Sequence, residues 1–249
     1  MNSLMVKIIF FVFLLYLILF EFLFPTNRFF PSFSVVWFSI NELIEKYNFL
    51  SRFVSTFAAV YLTFFISYVI VRMSFNFVIS KNSVNSKYIS SYMDIVLSFF
   101  ANLPFVLIIF LILLWFPDFI FNKYLISLLI LLSINFSYLR EIKVSDNSDY
   151  FLFYKSLGLS DSFIFYRIIF KLKEPEFFLL QLKNHSFIWS VVIISEFIQQ
   201  NEGIGYIFFN AHRYNDISLM FSLFLFIATI VFVINFLLKI FFHKVYFWS

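Results

Sequence analysis

Met5 to Phe24 is a run of about twenty residues in which only Lys7 and Glu21 are charged. A bilayer core takes about 20 apolar residues per helix, and no spanning segment can leave its backbone unpaired in lipid. Such a run therefore confines the chain to helices that bury their own polar backbone. Further runs follow at about Phe53–Val71, Ile95–Phe116, Tyr124–Leu139, Phe178–Ile198 and Ile217–Phe242. The pattern predicts an all-α polytopic membrane protein with six transmembrane helices. Charged residues make up 13% and hydrophobic ones 62% of the 249 residues, with a mean hydropathy of +0.93. Soluble domains carry roughly a quarter charged residues. The first run resembles a signal peptide in having a lysine before an apolar core. No small-x-small cleavage site follows it, only Pro25-Thr26-Asn27-Arg28, so it reads as a retained span.

Basic residues assign the sides. With the N-terminus inside, the cytoplasmic segments hold 12 Lys and Arg and the outer segments 5, with Lys183 at the start of the fifth span. Both termini are thus expected on the cytoplasmic side. The net charge of +4 follows from this asymmetry and does not point to nucleic acid. The 44 phenylalanines are in keeping with an A+T-rich coding bias.

Several chemistries are excluded or left without support. Zero cysteines remove disulfides, thiolate metal sites and thiol catalysis. Three glycines cannot build a phosphate-cradling P-loop. His185, His212 and His243 have no metal-ligand spacing and read as packing or interface residues, and no nucleophile elbow occurs. No catalytic residue, metal or cofactor is expected in the chain itself.

Local signals mark four regions. Ser39 with Glu42 reads as a capping box opening a short amphipathic helix, with Ile40, Leu43, Ile44 and Tyr47 on one face at the outer surface. Ser55, Ala59, Thr63 and Ser67 repeat every four residues, a small-residue stripe suited to close helix packing. Asn102-Leu103-Pro104 should kink or break the third span, and lines a candidate path. Residues 140–177 form the longest cytoplasmic segment. There Tyr150–Leu157 reads as two helical turns, Gly158 as the left-handed residue that ends them, and Ser160 or Asp161 as the cap of a helix running through Phe170. So many apolar side chains, Leu152, Phe153, Tyr154 and Leu157 among them, imply a protein partner or the membrane interface. Glu196 and Asp94 are the carboxylates near span ends; an intramembrane ionisable group is a functional candidate, as Glu196 is here, whereas Asp94 reads as snorkelling to the interface.

Residues 31–249 resemble the integral-membrane permease subunit of bacterial ABC importers, in the branch that handles nitrate, sulfonates, taurine and thiamine precursors. The resemblance rests on Gly158 in "KSLGLS", Ile168 ten residues on, Pro175, and "SEFIQQNEGIGY" with Glu196, Gly203, Gly205 and Tyr206. "ANLPFVLIIFLILLWF" is similar to the family's proline-containing segment, and "FPSFSVVWFSINELI" more loosely to the stretch before its second span. All three glycines fall on family glycine positions. Four positions depart from the pattern. Leu152, Phe153 and Tyr154 occupy the Glu-Ala-Ala positions, and Lys171 replaces the first proline.

The resemblance implies a type I importer fold, a single permease domain, and a translocation path for a small anion or a vitamin precursor such as thiamine pyrimidine or riboflavin. It implies four partners: cytoplasmic ATPase subunits that bind the ATP, an extracytoplasmic substrate-binding protein, a second permease copy in a homodimer, and membrane lipid. Leu152, Phe153, Tyr154, Leu157, Gly158, Ser160 and Asp161 would couple to the ATPase. Asn102, Pro104, Glu196, Gly203 and Gly205 would line or gate the path. With the coupling carboxylate missing, an uncoupled permease-like protein is the alternative. An integral-membrane lipid-modifying enzyme would need a polar catalytic cluster at one interface. A vitamin-type importer would need paired Ala-Arg-Gly motifs. Neither feature occurs.

Overall fold

The computed structural model describes residues 3–24, 30–79, 95, 104–141, 148–160, 163–200 and 202–247. These residues form nine α-helices: α1 Ser3–Leu17, α2 Phe33–Glu45, α3 Phe49–Ile79, α4 Phe105–Trp115, α5 Asn122–Glu141, α6 Ser148–Ser156, α7 Phe170–Gln199, α8 Ile204–Arg213 and α9 Ile217–Val245. Wider π-type turns extend α1 over Ile18–Leu23 and lead into α7 over Ile164–Ile169. No strand occurs among the described residues. Among the described residues, three segments are long and apolar enough to cross a membrane: Phe49–Ser74, Arg167–Gln199 and Ile217–Val245. Phe10–Leu23 and Phe105–Trp115 are shorter apolar helices.

The chain divides into two compact units, residues 1–56 with 196–234, and residues 57–195 with 235–249. In the first, α2 starts at Phe33 after Ser32 in extended conformation, immediately beyond Pro31. The helix begins six residues before the expected capping box. Ser39 is therefore an interior residue, buried with Val36 and Leu43, and Glu42 pairs with Lys46 one turn on. Proline fixes the chain ahead of Ser32 and sets the start, overriding the local Ser-x-x-Glu signal. Val36 accepts a hydrogen bond from Ser222 Oγ of α9 at 3.3 Å, and Phe49 meets Phe226 edge-on at 4.8 Å. Asn48 and Asn215 take left-handed conformations in the turns after α2 and α8. Asparagine tolerates that region better than most residues.

In the second unit the small-residue stripe of α3 faces inward: Ala59, Thr63 and Ser67 are fully buried. Thr63 meets Ser127 of α5 at 2.8 Å, and Asn135 of α5 donates to Ser67 at 3.4 Å. Small side chains at this spacing admit a neighbouring helix closely enough for such bonds. Gln181 of α7 donates in turn to Asn135 at 2.7 Å.

α7 differs from its expected start at Phe178. It is continuous from Phe170, with Pro175 inside it. A proline removes one backbone donor, and the polar residues around it are held by side-chain bonds instead. Tyr68 donates to Glu174 at 2.5 Å, Tyr138 to Glu176 at 3.0 Å, and Lys173 pairs with Glu176 at 2.8 Å.

Candidate functional site

Two constellations contain most of the expected site residues. The first lies in the first unit, where α7 ends and α8 begins. Gly203 is the N-cap of α8, with φ +118° and ψ −177°. That conformation is open essentially to glycine alone. Without a side chain, Gly203 cannot bond the first N–H groups of α8, which have no partners inside the helix. Other residues supply those partners. Ile204 N donates to Thr56 Oγ1 at 3.0 Å, and Gly205 N donates to Glu196 Oε2 at 3.1 Å. The Thr56 hydroxyl lies 2.8 Å from Glu196 Oε2 and 3.0 Å from Oε1, and donates to that carboxylate. Thr56, Ile204 and Glu196 are buried, Glu196 to 1% exposure. A carboxylate at a helix N-terminus also faces the positive end of the helix dipole.

The reason for glycine at 203 is visible here. A Cβ built on it would stand 2.1 Å from the Glu196 carboxyl carbon. Beside this corner the Arg52 guanidinium lies over the Tyr206 ring at 4.3 Å, and its Nε donates to Tyr47 O at 3.0 Å. Phe197 stacks on His212 and meets Phe209 edge-on.

The second constellation is the α6 turn in the second unit. Gly158 N donates to Lys155 O at 3.0 Å, and Leu159 N to Tyr154 O at 3.4 Å. With Gly158 at φ +80°, this pair of bonds is the Schellman ending. The two residues that bracket it, Tyr154 and Leu159, pack against the buried cluster of Val71, Phe136, Ile164, Ile169, Phe170 and Phe177. Leu152, Phe153 and Leu157 point away and are about 60% exposed. Tyr154 thus belongs to the inward face of α6, not with the exposed set. The reason is its place at the closing position of the turn, where a hydrophobic contact commonly forms. Ser160 is exposed, and its carbonyl accepts from Ile164 N at 3.1 Å, so the helical path resumes there with wider winding than the expected regular helix.

Pro104 is the N-cap of α4, which starts at Phe105; the residues just before it, on the other side of the expected break, lie outside the described ones. Asn102, Asp161 and Asp94 lie outside the described residues. Thr56 was not signalled by the sequence: it is one residue off the small stripe, and nothing local ties it to Glu196, 140 positions away. Among the described residues no cluster of His, Cys, Asp and Glu is arranged to hold a metal ion.

No curated protein and no solved structure matches the chain. The sequence profile of one family matches residues 78–246, about two thirds of the chain. Its span takes in the α6 turn, Glu196, Gly203, and the helices α7 and α9, which have the length and apolarity of membrane spans. The chain belongs to the binding-protein-dependent transport system inner membrane component family, the permeases of ABC importers.

Proposed function

We propose that the chain is the six-span permease subunit of an ATP-driven importer, a single permease domain with both termini in the cytoplasm. It acts as a homodimer fed by an extracytoplasmic binding protein and carries a small anion or a vitamin precursor. The chain performs no covalent chemistry, and the ATP is bound by the partner ATPase. The observation that carries this reading is the division of α6 into two faces. Tyr154 and Leu159 tie it to the interior, while Leu152, Phe153 and Leu157 are largely exposed. Apolar area in water costs roughly 25 cal/mol per Å², so a partner groove is the natural cover. Apolar docking would then replace the salt bridge that the missing Glu-Ala-Ala carboxylate makes in relatives. Closure of the ATPases would move α6 through its Gly158 turn and switch the path between inward- and outward-open states. The buried Glu196 corner fits a fixed element at the outer mouth, beside the binding protein.

The test is copurification. The tagged permease, co-expressed with its co-encoded ATPase, should retain the ATPase. Leu152→Asp, Phe153→Asp and Leu157→Asp together should release it while the spans stay inserted. Undiminished ATPase yield from the triple variant would remove the docking surface and leave an uncoupled permease.

A further inference from the structure

Between Glu176 and Ser195, α7 is exposed along one narrow stripe only. Its exposed residues there are Glu176, Leu179, Lys183, Ser186, Ser190 and Ile194. They follow one another at intervals of three or four, which puts them on a single face of the helix. The opposite face is closed. His185 is 2% exposed, with its Nε2 2.7 Å from the Tyr61 hydroxyl of α3 and 3.2 Å from Trp189 Nε1. The middle of the exposed stripe is polar. Ser186 Oγ accepts from Asn235 Nδ2 of α9 at 3.1 Å, in a bond that is itself exposed, and the Ser190 hydroxyl donates to Ser186 O at 3.1 Å. α4 shows the opposite composition: its exposed Val106, Leu107, Phe110, Leu111 and Leu114 are all apolar.

The depth of the stripe follows from helix length. The spanning segment Arg167–Gln199 has 33 residues, and a bilayer core takes about 20. Every window of about 20 residues within it, from 167–186 to 180–199, contains residues 180–186. Lys183 and Ser186 are therefore at hydrocarbon depth wherever the bilayer sits along the helix. Charged and polar side chains at that depth face protein or water rather than lipid. Two serines four residues apart would suit a dry seam with a second copy. A two-fold seam along this stripe, however, would set Lys183 near its own copy, two like charges in a dry setting. Lys183 decides for water.

We propose that Lys183, Ser186 and Ser190, with Asn235 beside them, form a water-lined wall of the translocation path. The proposal rests on the importer reading and deepens it. It puts into the body of α7 a length of wall that the sequence signals at Asn102, Pro104 and Glu196 do not include.

Single cysteines test this, because the chain has none of its own. Thiol reagents attack the thiolate, which forms in water and is disfavoured in apolar surroundings. Membranes from cells co-expressing the permease and its ATPase are treated with N-ethylmaleimide. Labelling rates are compared for Ser186→Cys, Ser190→Cys and the apolar-face control Leu111→Cys. Both stripe cysteines should react faster than the control by roughly tenfold or more, the scale set by loss of thiolate in apolar surroundings. Ser190→Cys leaves the Asn235–Ser186 bond untouched and serves if Ser186→Cys is not inserted. Rates equal to the control would overturn the proposal. So would oxidative cross-linking of either cysteine between two copies without reagent access, the mark of a dry seam. ATPase retention is scored on the same membranes. Fast stripe labelling without bound ATPase sustains the aqueous wall and removes the importer reading. Slow labelling with the ATPase bound does the reverse.

Discussion

Gly203→Ala isolates the logic of the α8 corner. The added Cβ would lie 2.1 Å from the Glu196 carboxyl carbon, where ordinary carbon contact is about 3.5–4.0 Å. The carboxylate must therefore move by more than an ångström, and its bonds to Thr56 and Gly205 N cannot survive that movement. Hydrogen bonds to a charged group contribute about 1.5–3 kcal/mol each. The backbone adds about 1–3 kcal/mol, because alanine is poorly accommodated at φ +118°, ψ −177°. The whole loss is on the order of 5 kcal/mol. For a chain of this size that corresponds to a fall of roughly 10 °C or more in the unfolding midpoint. Tryptophan fluorescence of the detergent-purified permease during heating reads it. Repeating the substitution in a Glu196→Ala background separates the two causes. With the carboxylate gone only the backbone part remains, so the second fall should be less than half the first. Equal falls in the two backgrounds, or a single-variant fall under about 2 °C, would refute the clash.

Gly158→Ala should be mild by comparison, about 1–2 kcal/mol, because a Cβ there meets nothing within 4 Å; thermal unfolding again reads it. Thr56→Val leaves Ile204 N and the Glu196 carboxylate without their hydroxyl, and should cost about 1–3 kcal/mol, whereas Thr56→Ser should be close to neutral. Glu196→Leu should destabilise α8 and lower copurification of the binding protein; unchanged transport and assembly would withdraw any role for this residue. A reporter fused after Ser249 should be active only in the cytoplasm, and activity on the outer side would overturn the proposed topology.

The helical character of the chain was legible because apolar runs the length of a bilayer admit little else. Gly158 was legible too: a helix-forming stretch followed by one of only three glycines is a strong ending signal, and the Schellman bonds are there. The α2 start was misread, since the Ser39–Glu42 spacing carries less weight than the restraint Pro31 places before Ser32. The start of α7 was misread at Phe178, because the side-chain bonds around Glu174 and Glu176 come from helices distant in sequence. Glu196 was found by its charge near a span end and by the family resemblance of the segment around it. Its partner Thr56 and the polar surroundings of His185 were not, because each is assembled by contacts across more than a hundred residues that no local spacing encodes.

The Glu196–Gly203 contact also orders what mutation can do to this chain. The chain holds only three glycines beside 44 phenylalanines. Every missense change at 203 adds a Cβ, and every such Cβ lands on the same carboxyl group. The codon is thus closed to drift while Glu196 stands. A shorter residue must first arise at 196, at the cost of the Thr56 and Gly205 bonds. Even then φ +118° still favours glycine. Position 158 has no such gatekeeper, since only its backbone resists change. The two glycines are alike in sequence, but one is held by a neighbour and the other only by its own torsion.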